Sequence, residues 1–115
     1  MPNHDAALDP VFHALADPTR RAVLQRLGKG PATVSELARP FDMALPSFLQ
    51  HLRVLEAGGL IRSKKAGRVR TCEIDMTPLT RAENWLAENR AMWVASFERL
   101  GEFLNEAQRG ENNGE

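Results

Sequence analysis

The sequence predicts a mainly α-helical fold with one small β-hairpin, and three observations carry that prediction. Apolar residues recur at helical spacing in several stretches, each opened by a capping side chain or a first-turn proline and closed by glycine or proline. Directly after Gly58-Gly59 the period shortens to a strand-like alternation that lasts to Asp75. The helical period then returns and holds from Leu79 to Leu104.

Taken in order, Asp9-Pro10 reads as an N-cap and first-turn proline for a short helix carrying Val11, Phe12 and Leu15. Asp17-Pro18 repeats the signal. This second helix runs to about Leu27, with Ala22, Val23 and Leu27 apolar, before Gly28-Lys29-Gly30-Pro31 ends it. Thr33-Val34-Ser35-Glu36 has the form of a capping box, in which a hydroxyl and a carboxylate each take a backbone N–H near the other residue. It opens a short third helix through Leu37 and Ala38, which Pro40 stops. Phe41 to Ala44 lead tightly into a fourth helix, and two helices joined by so few residues form a helix-turn-helix.

The rest of the chain is organised around that fourth helix. Phe48, Leu52 and Leu55 recur at i, i+4 and i+7 and predict one buried face. Pro46 suits the first turn, and Gly58-Gly59 supplies the stop. Ser47, Gln50, His51 and Arg53 fall clear of the stripe and are candidates for presenting hydrogen-bonding groups. Next, Leu60 to Lys65 and Arg68 to Asp75 read as two strands about an Ala66-Gly67 turn, with Cys72 and Ile74 facing the core. Arg62, Lys64, Lys65, Arg68 and Arg70 crowd the turn end, where they could reach a phosphate backbone.

Thr77-Pro78 caps a last helix reaching about Ala107, with a stripe of Leu79, Ala82, Leu86, Trp93, Phe97, Leu100 and Leu104 widened by Trp85 and Met92. A helix of about 30 residues is about 45 Å long, more than a domain this small covers. Part of the stripe is therefore expected to pack on the first helix and the rest on a second copy of the chain. The folded domain is expected over residues 8–107, with 1–7 and 108–115 as flexible termini.

A chain of 115 residues suits a single domain. Its formal net charge of zero conceals a division. From Pro18 to Arg70, eleven cations face three acids, a formal +8; the remainder carries four cations and twelve acids, a formal −8. A basic middle between acidic ends suits a polyanion partner. No apolar run approaches the ~18 residues of a membrane span, and no signal peptide is expected from the N-terminal residues. The single Cys72 excludes an internal disulfide, fits a reducing cytoplasm, and reads as a small buried apolar residue rather than a reactive thiol. No nucleophile with a nearby base and no glycine-rich phosphate loop points to an enzyme, and no cofactor is expected.

The strings Ala16-Asp17-Pro18-Thr19-Arg20, His51-Leu52-Arg53-Val54-Leu55-Glu56-Ala57-Gly58-Gly59-Leu60-Ile61 and Gly67-Arg68, set in this helix and strand order, closely resemble the ArsR family of bacterial winged-helix transcriptional repressors. The resemblance covers about residues 8–105. It implies a winged helix-turn-helix of five helices and a two-stranded wing, acting as a homodimer that binds a palindromic operator in double-stranded DNA and commonly represses its own operon. Pro46 to Ala57 would be the recognition helix and Lys64 to Arg70 the wing. Ser47, Gln50 and His51 would then make base or water-mediated contacts, and Arg53, Lys64, Lys65, Arg68 and Arg70 phosphate contacts. Phe12, Leu86, Trp93, Phe97, Leu100 and Leu104 would form the dimer interface through the first and last helices. An effector, if the protein has one, would act by shifting the dimer between a DNA-competent and an incompetent spacing.

The departures from the family pattern are specific. Metal-sensing members usually carry a cysteine pair in the third helix, where this chain reads Val34-Ser35-Glu36-Leu37-Ala38-Arg39, and others place Asp and His ligands on the last helix, which here has neither. His4, His13 and His51 are scattered, so no metal is expected. Ala44 and Leu45 stand where Ser and Gln are common, and Leu49 where Ser is common. Leu45 and Leu49 could meet thymine methyls or pack against the preceding helix. The alternative to a DNA-binding regulator is a winged-helix module for protein–protein contact, which would not need the basic middle.

Overall fold

The computed structural model describes the backbone of residues 6–113 and the side chains of residues 6–110. His4 and the outermost parts of the expected flexible ends 1–7 and 108–115, residues 1–5 and 114–115, lie outside the described residues. The chain divides into two compact units, Met1–Ala82 and Glu83–Glu115. The first contains α1 (Asp9–Leu15), α2 (Pro18–Leu27), β1 (Ala32–Thr33), α3 (Val34–Ala38), α4 (Leu45–Ala57), β2 (Ile61–Ala66), β3 (Val69–Ile74) and the start of α5 (Thr77–Asn113).

Most local signals act as the residue types require. The Asp17 carboxylate takes the Arg20 N–H at 3.1 Å and caps α2. Thr33 and Glu36 close a full capping box on α3, with the Glu36 N–H donating to Thr33 Oγ1 at 3.1 Å and the Thr33 N–H to Glu36 Oε1 at 3.2 Å. Such a cap stabilises a helix by about 1 kcal/mol. The first helix differs from expectation: Leu8 occupies its N-cap without a side-chain bond, and Asp9 is already helical. Leu8 is itself buried, so packing of its side chain fixes the entry that Asp9 was expected to cap.

Phe48, Leu52 and Leu55 are all buried, joining Val11 and Ala14 of α1, Val23, Leu24 and Leu27 of α2, and Leu37 of α3 in one core. Each large side chain so buried stabilises by roughly 1.5–3 kcal/mol. Phe41, in the connection before α4, stacks on Phe48 with ring centroids 5.6 Å apart. Gly59 ends α4 with φ +74°. The Gly59 N–H bonds the Glu56 carbonyl at 2.9 Å and the Leu60 N–H bonds Leu55 at 3.0 Å, so the orphan carbonyls are satisfied and Leu60 drops into the core. A Cβ at Gly58 would stand 3.1 Å from the Pro10 carbonyl oxygen, so α1 runs hard against this end of α4.

The sheet has three antiparallel strands in the order β1-β3-β2 where a two-stranded wing was expected. Ala32 and Thr33 pair with Cys72 and Thr71, and two residues are too few to show a period in the sequence. The hairpin turn is Gly67-Arg68 rather than Ala66-Gly67, because Ala66 pairs with Val69 and Gly67 takes φ +62°. Cys72 is fully buried as expected, whereas Ile74 is only half-buried.

Pro78 and Ala82 anchor α5 in the first unit, with the Thr77 N–H bonded to Asp75 Oδ1 at 3.0 Å. That N–H and the Thr77 hydroxyl hold the Asp75 carboxyl below its usual range. In the second unit α5 continues past the expected end at Ala107 to Asn113. Trp85 and Trp93 meet edge to face at 6.5 Å, and the Asn89 amide donates to the Trp85 carbonyl at 2.9 Å. Leu86, Met92, Trp93, Val94, Phe97, Leu100, Phe103 and Leu104 are all exposed. No described helix is long and apolar enough to cross a membrane.

Candidate nucleic-acid interface

Burying Phe48, Leu52 and Leu55 turns the opposite side of α4 to solvent. Pro46, Gln50, Arg53 and Ala57 form that exposed stripe at helical spacing, with Ser47 beside it. Arg53 Nη1 donates to Gln50 Oε1 at 2.7 Å. The pair keeps the Gln50 amide donors and the rest of the guanidinium available, both groups suited to base edges or phosphates. Ala44 offers no side-chain acceptor at the start of α4, so the first N–H groups there stay open.

His51 lies elsewhere. It is half-buried on the α2 side, and Arg20 Nη1 donates to its Nδ1 at 3.1 Å. Since guanidinium only donates, a neutral His51 must carry its proton on Nε2. Nε2 has no bonding partner among the described residues, yet no buried unsatisfied side-chain atom exists among them, so Nε2 is open to solvent. Arg20, counted above among the cations of the basic middle, is buried and spends its other bonds on the end of α1: Nε to the Ala14 carbonyl and Nη2 to the His13 carbonyl, both at 2.9 Å. Asp17 Oδ2 stands 3.7 Å from His51 Nδ1. Burial works against the Asp17 charge, but the Arg20 N–H and the nearby His51 and Arg20 bring its carboxyl below the usual range. The sequence signals the Asp17 cap and not this network, whose Arg20 and His51 are 31 positions apart.

The wing cations divide into two sets. Lys64 and Lys65 on β2 and Arg68 in the turn are exposed, and their side chains make no hydrogen bond or ion pair among the described residues. Arg62 is shared between Glu73 at 3.7 Å and Asp75 at 3.9 Å. Arg70 points back to α4, its Nη2 bonded to Glu56 and its Nε to Ser63 Oγ at 3.0 Å. Lys65, Arg68 and Arg70 line a cleft of ≈ 670 Å³ together with Leu49 of α4 and Thr33, Val34 and Ser35 at the start of α3. Half-buried Leu49 therefore faces the cleft between helix and wing, while Leu45 is 54% exposed on α4. The cleft brings three sequence-separated segments together, and nothing in the local pattern at Thr33 or Ser35 marks them as its lining.

Of the expected dimer residues, Phe12 lies on α1 in the first unit, and Leu86, Trp93, Phe97, Leu100 and Leu104 lie on α5 in the second. The last four step by four, three and four, the repeat of a helix-pairing seam. Among the described residues no group of three His, Cys, Asp or Glu side chains could hold a metal ion. Burial pushes the Cys72 thiol up, which keeps it protonated and unreactive.

A helix-turn-helix domain family matches residues 15–64, the span from the end of α1 to the middle of β2. The transcriptional repressor SdpR of Bacillus subtilis is 32% identical over 79 residues, covering 69% of this chain and 88% of that protein. A crystal structure of an ArsR family transcriptional regulator superposes with a TM-score of 0.77 at 60% identity, over 81% of this chain and 96% of that one. The chain belongs to the ArsR family. A further relative, the HTH-type transcriptional regulator Rv2034 of Mycobacterium tuberculosis, is 44% identical over 71 residues, or 62% of this chain and 66% of that protein's length. ArsR membership makes the chain a DNA-binding transcriptional regulator with a winged helix-turn-helix fold, and neither an enzyme nor a protein-contact module.

Proposed function

We propose that this chain is a cytoplasmic repressor whose residues 8–107 form one DNA-binding and dimerisation domain. Two copies join through the α5 stripe and Phe12, and place two α4 helices about 34 Å apart on a palindromic operator. Exposed Ser47 and Gln50 face base edges, His51 offers its Nε2–H, and Arg53 and the wing reach the neighbouring phosphates. The observation that carries this reading is the cleft itself, where α4 meets a wing whose Lys64, Lys65 and Arg68 have no acidic partner among the described residues. Repression of its own operon would follow from occupancy of the promoter upstream of its gene.

A gel shift over increasing salt, with that promoter against random duplex, tests the reading, and a footprint then locates the operator. The expected result is tight, salt-sensitive binding to a two-fold symmetric site and weaker binding to random DNA. Equal affinity for both duplexes, or a footprint lacking symmetry, would overturn it.

A further inference from the structure

We infer that Glu56 is a positioning residue that locks the wing onto the recognition helix, with Arg70 as its partner rather than as a phosphate contact. The consequence for binding rests on the DNA reading above; the lock itself does not. Glu56 is the only acid between Asp42 and Glu73, and so sits inside the most basic part of the chain. On electrostatic grounds alone, a carboxylate there opposes a polyanion.

The geometry accounts for it. Glu56 Oε1 accepts from Ser63 Oγ at 2.7 Å and from Arg70 Nη2, and Arg70 Nε donates to Ser63 Oγ at 3.0 Å. One closed ring thus ties the last turn of α4 to both strands of the wing. The strand register explains why these residues meet. Ile61, Ser63 and Lys65 stand opposite Ile74, Cys72 and Arg70, and side chains two apart share a face. That face runs from Ile61 and buried Cys72, through the ring, to Lys65 at the tip. The Arg70 and Glu56 side chains are 34% and 31% exposed, enough shelter for charge-assisted bonds to resist competition from water. With two guanidinium nitrogens engaged, Arg70 is held toward α4. Lys65 and Arg68 are left as the cleft's cations without a side-chain partner among the described residues. Any swing of the wing relative to α4 must break the ring first.

The test uses the full chain in anisotropy titrations against its own promoter duplex over a range of salt. The variants are Glu56→Gln, Arg70→Met, Lys65→Met and the exchanged pair Glu56→Arg with Arg70→Glu. Glu56→Gln removes a negative charge, so a purely electrostatic role predicts tighter binding. The lock predicts weaker binding, by about tenfold. Arg70→Met should weaken binding with the salt slope kept, whereas Lys65→Met should shallow the slope by about 0.9. The exchanged pair should recover much of the loss. Amide hydrogen exchange without DNA gives an independent reading: β2 and β3 amides should exchange faster in Glu56→Gln and in Arg70→Met, with α1 and α2 unchanged. Either variant reports on the ring if the other folds poorly. Tighter binding by Glu56→Gln, unaltered wing exchange, or an Arg70→Met slope matching that of Lys65→Met would overturn the assignment. Failure of the wild-type chain to bind the duplex would instead refute the DNA reading, and the exchange measurement would still decide the lock.

Discussion

Replacing Lys64, Lys65 and Arg68 together by Ala should weaken binding to every duplex, specific or random, and the size of the effect follows from which wing cations are free. Five basic residues lie between Arg62 and Arg70. Arg62 is shared by two acids and Arg70 is held by Glu56, leaving three without a side-chain partner among the described residues. Each phosphate contact contributes about 0.9 to the log–log salt slope, so losing three should shallow it by about 2.7. Between 50 mM and 200 mM salt the wild type should then lose roughly fortyfold more affinity than the triple variant, on the same counterion-release relation. Arg62→Ala should change the slope by clearly less than any one of the three. Fluorescence anisotropy at several salt concentrations measures both quantities. A triple variant with the wild-type slope, or Arg62→Ala with a full unit's loss, would show that internal pairing does not select the phosphate contacts.

Four further outcomes are expected. Phe97→Glu or Leu100→Glu should yield monomer in sedimentation equilibrium and abolish operator binding, since each apolar side chain contributes roughly 1.5–3 kcal/mol and counts twice in a symmetric pair; a dimeric variant would refute the proposed seam. Gly59→Ala should cost roughly 1–2 kcal/mol in urea unfolding, because φ is +74° and the new Cβ would stand 3.3 Å from Pro78 Cγ; an unchanged midpoint would contradict this. The Asp17 carboxyl is held below its usual range, so its stabilisation is complete above the ordinary aspartate pKa of about 3.9 and is lost as pH falls through the lower folded value. Thermal melts should fall less steeply on acidification in Asp17→Asn than in the wild type, and parallel curves would count against the linkage. Titrating the DNA complex with Zn(II), Cd(II) or As(III) should not release it at ligand-like stoichiometry, given the ligands missing from α3 and α5; release at one metal per chain or per dimer would reveal a ligand set that the sequence does not display.

The elements most legible in the sequence are those whose signals are local. Asp17, the Thr33–Glu36 box, the Phe48-Leu52-Leu55 stripe and Gly59 each act within a few residues of themselves, and each behaves in the structure as its chemistry requires. What was hidden depends on distant partners. Strand β1 exists only because β3 is there to pair with it. The hairpin turn could sit on either side of Gly67, and pairing of Ser63 with Cys72 settles the register. Arg70 reads as one more wing cation until Glu56, 14 positions earlier, is placed beside it. His51 likewise looks free until Arg20 is found against it. In each case the type of residue was evident from the chain, while its role was set by a tertiary neighbour that no local pattern specifies.

The three bonds made by Arg20 have a consequence for genetics. A screen for alleles that derepress the operon would return substitutions at position 20, and their location in a basic segment would invite assignment as lost DNA contacts. Lysine, with its compact ammonium, cannot span the His13 and Ala14 carbonyls and His51 together, so even Arg20→Lys should score as a defective allele. Such alleles would separate from true contact alleles by phenotype. Their loss of repression should deepen with growth temperature and ease with overproduction of the protein, whereas loss of the contact proposed for Gln50 or Arg53 should be indifferent to temperature.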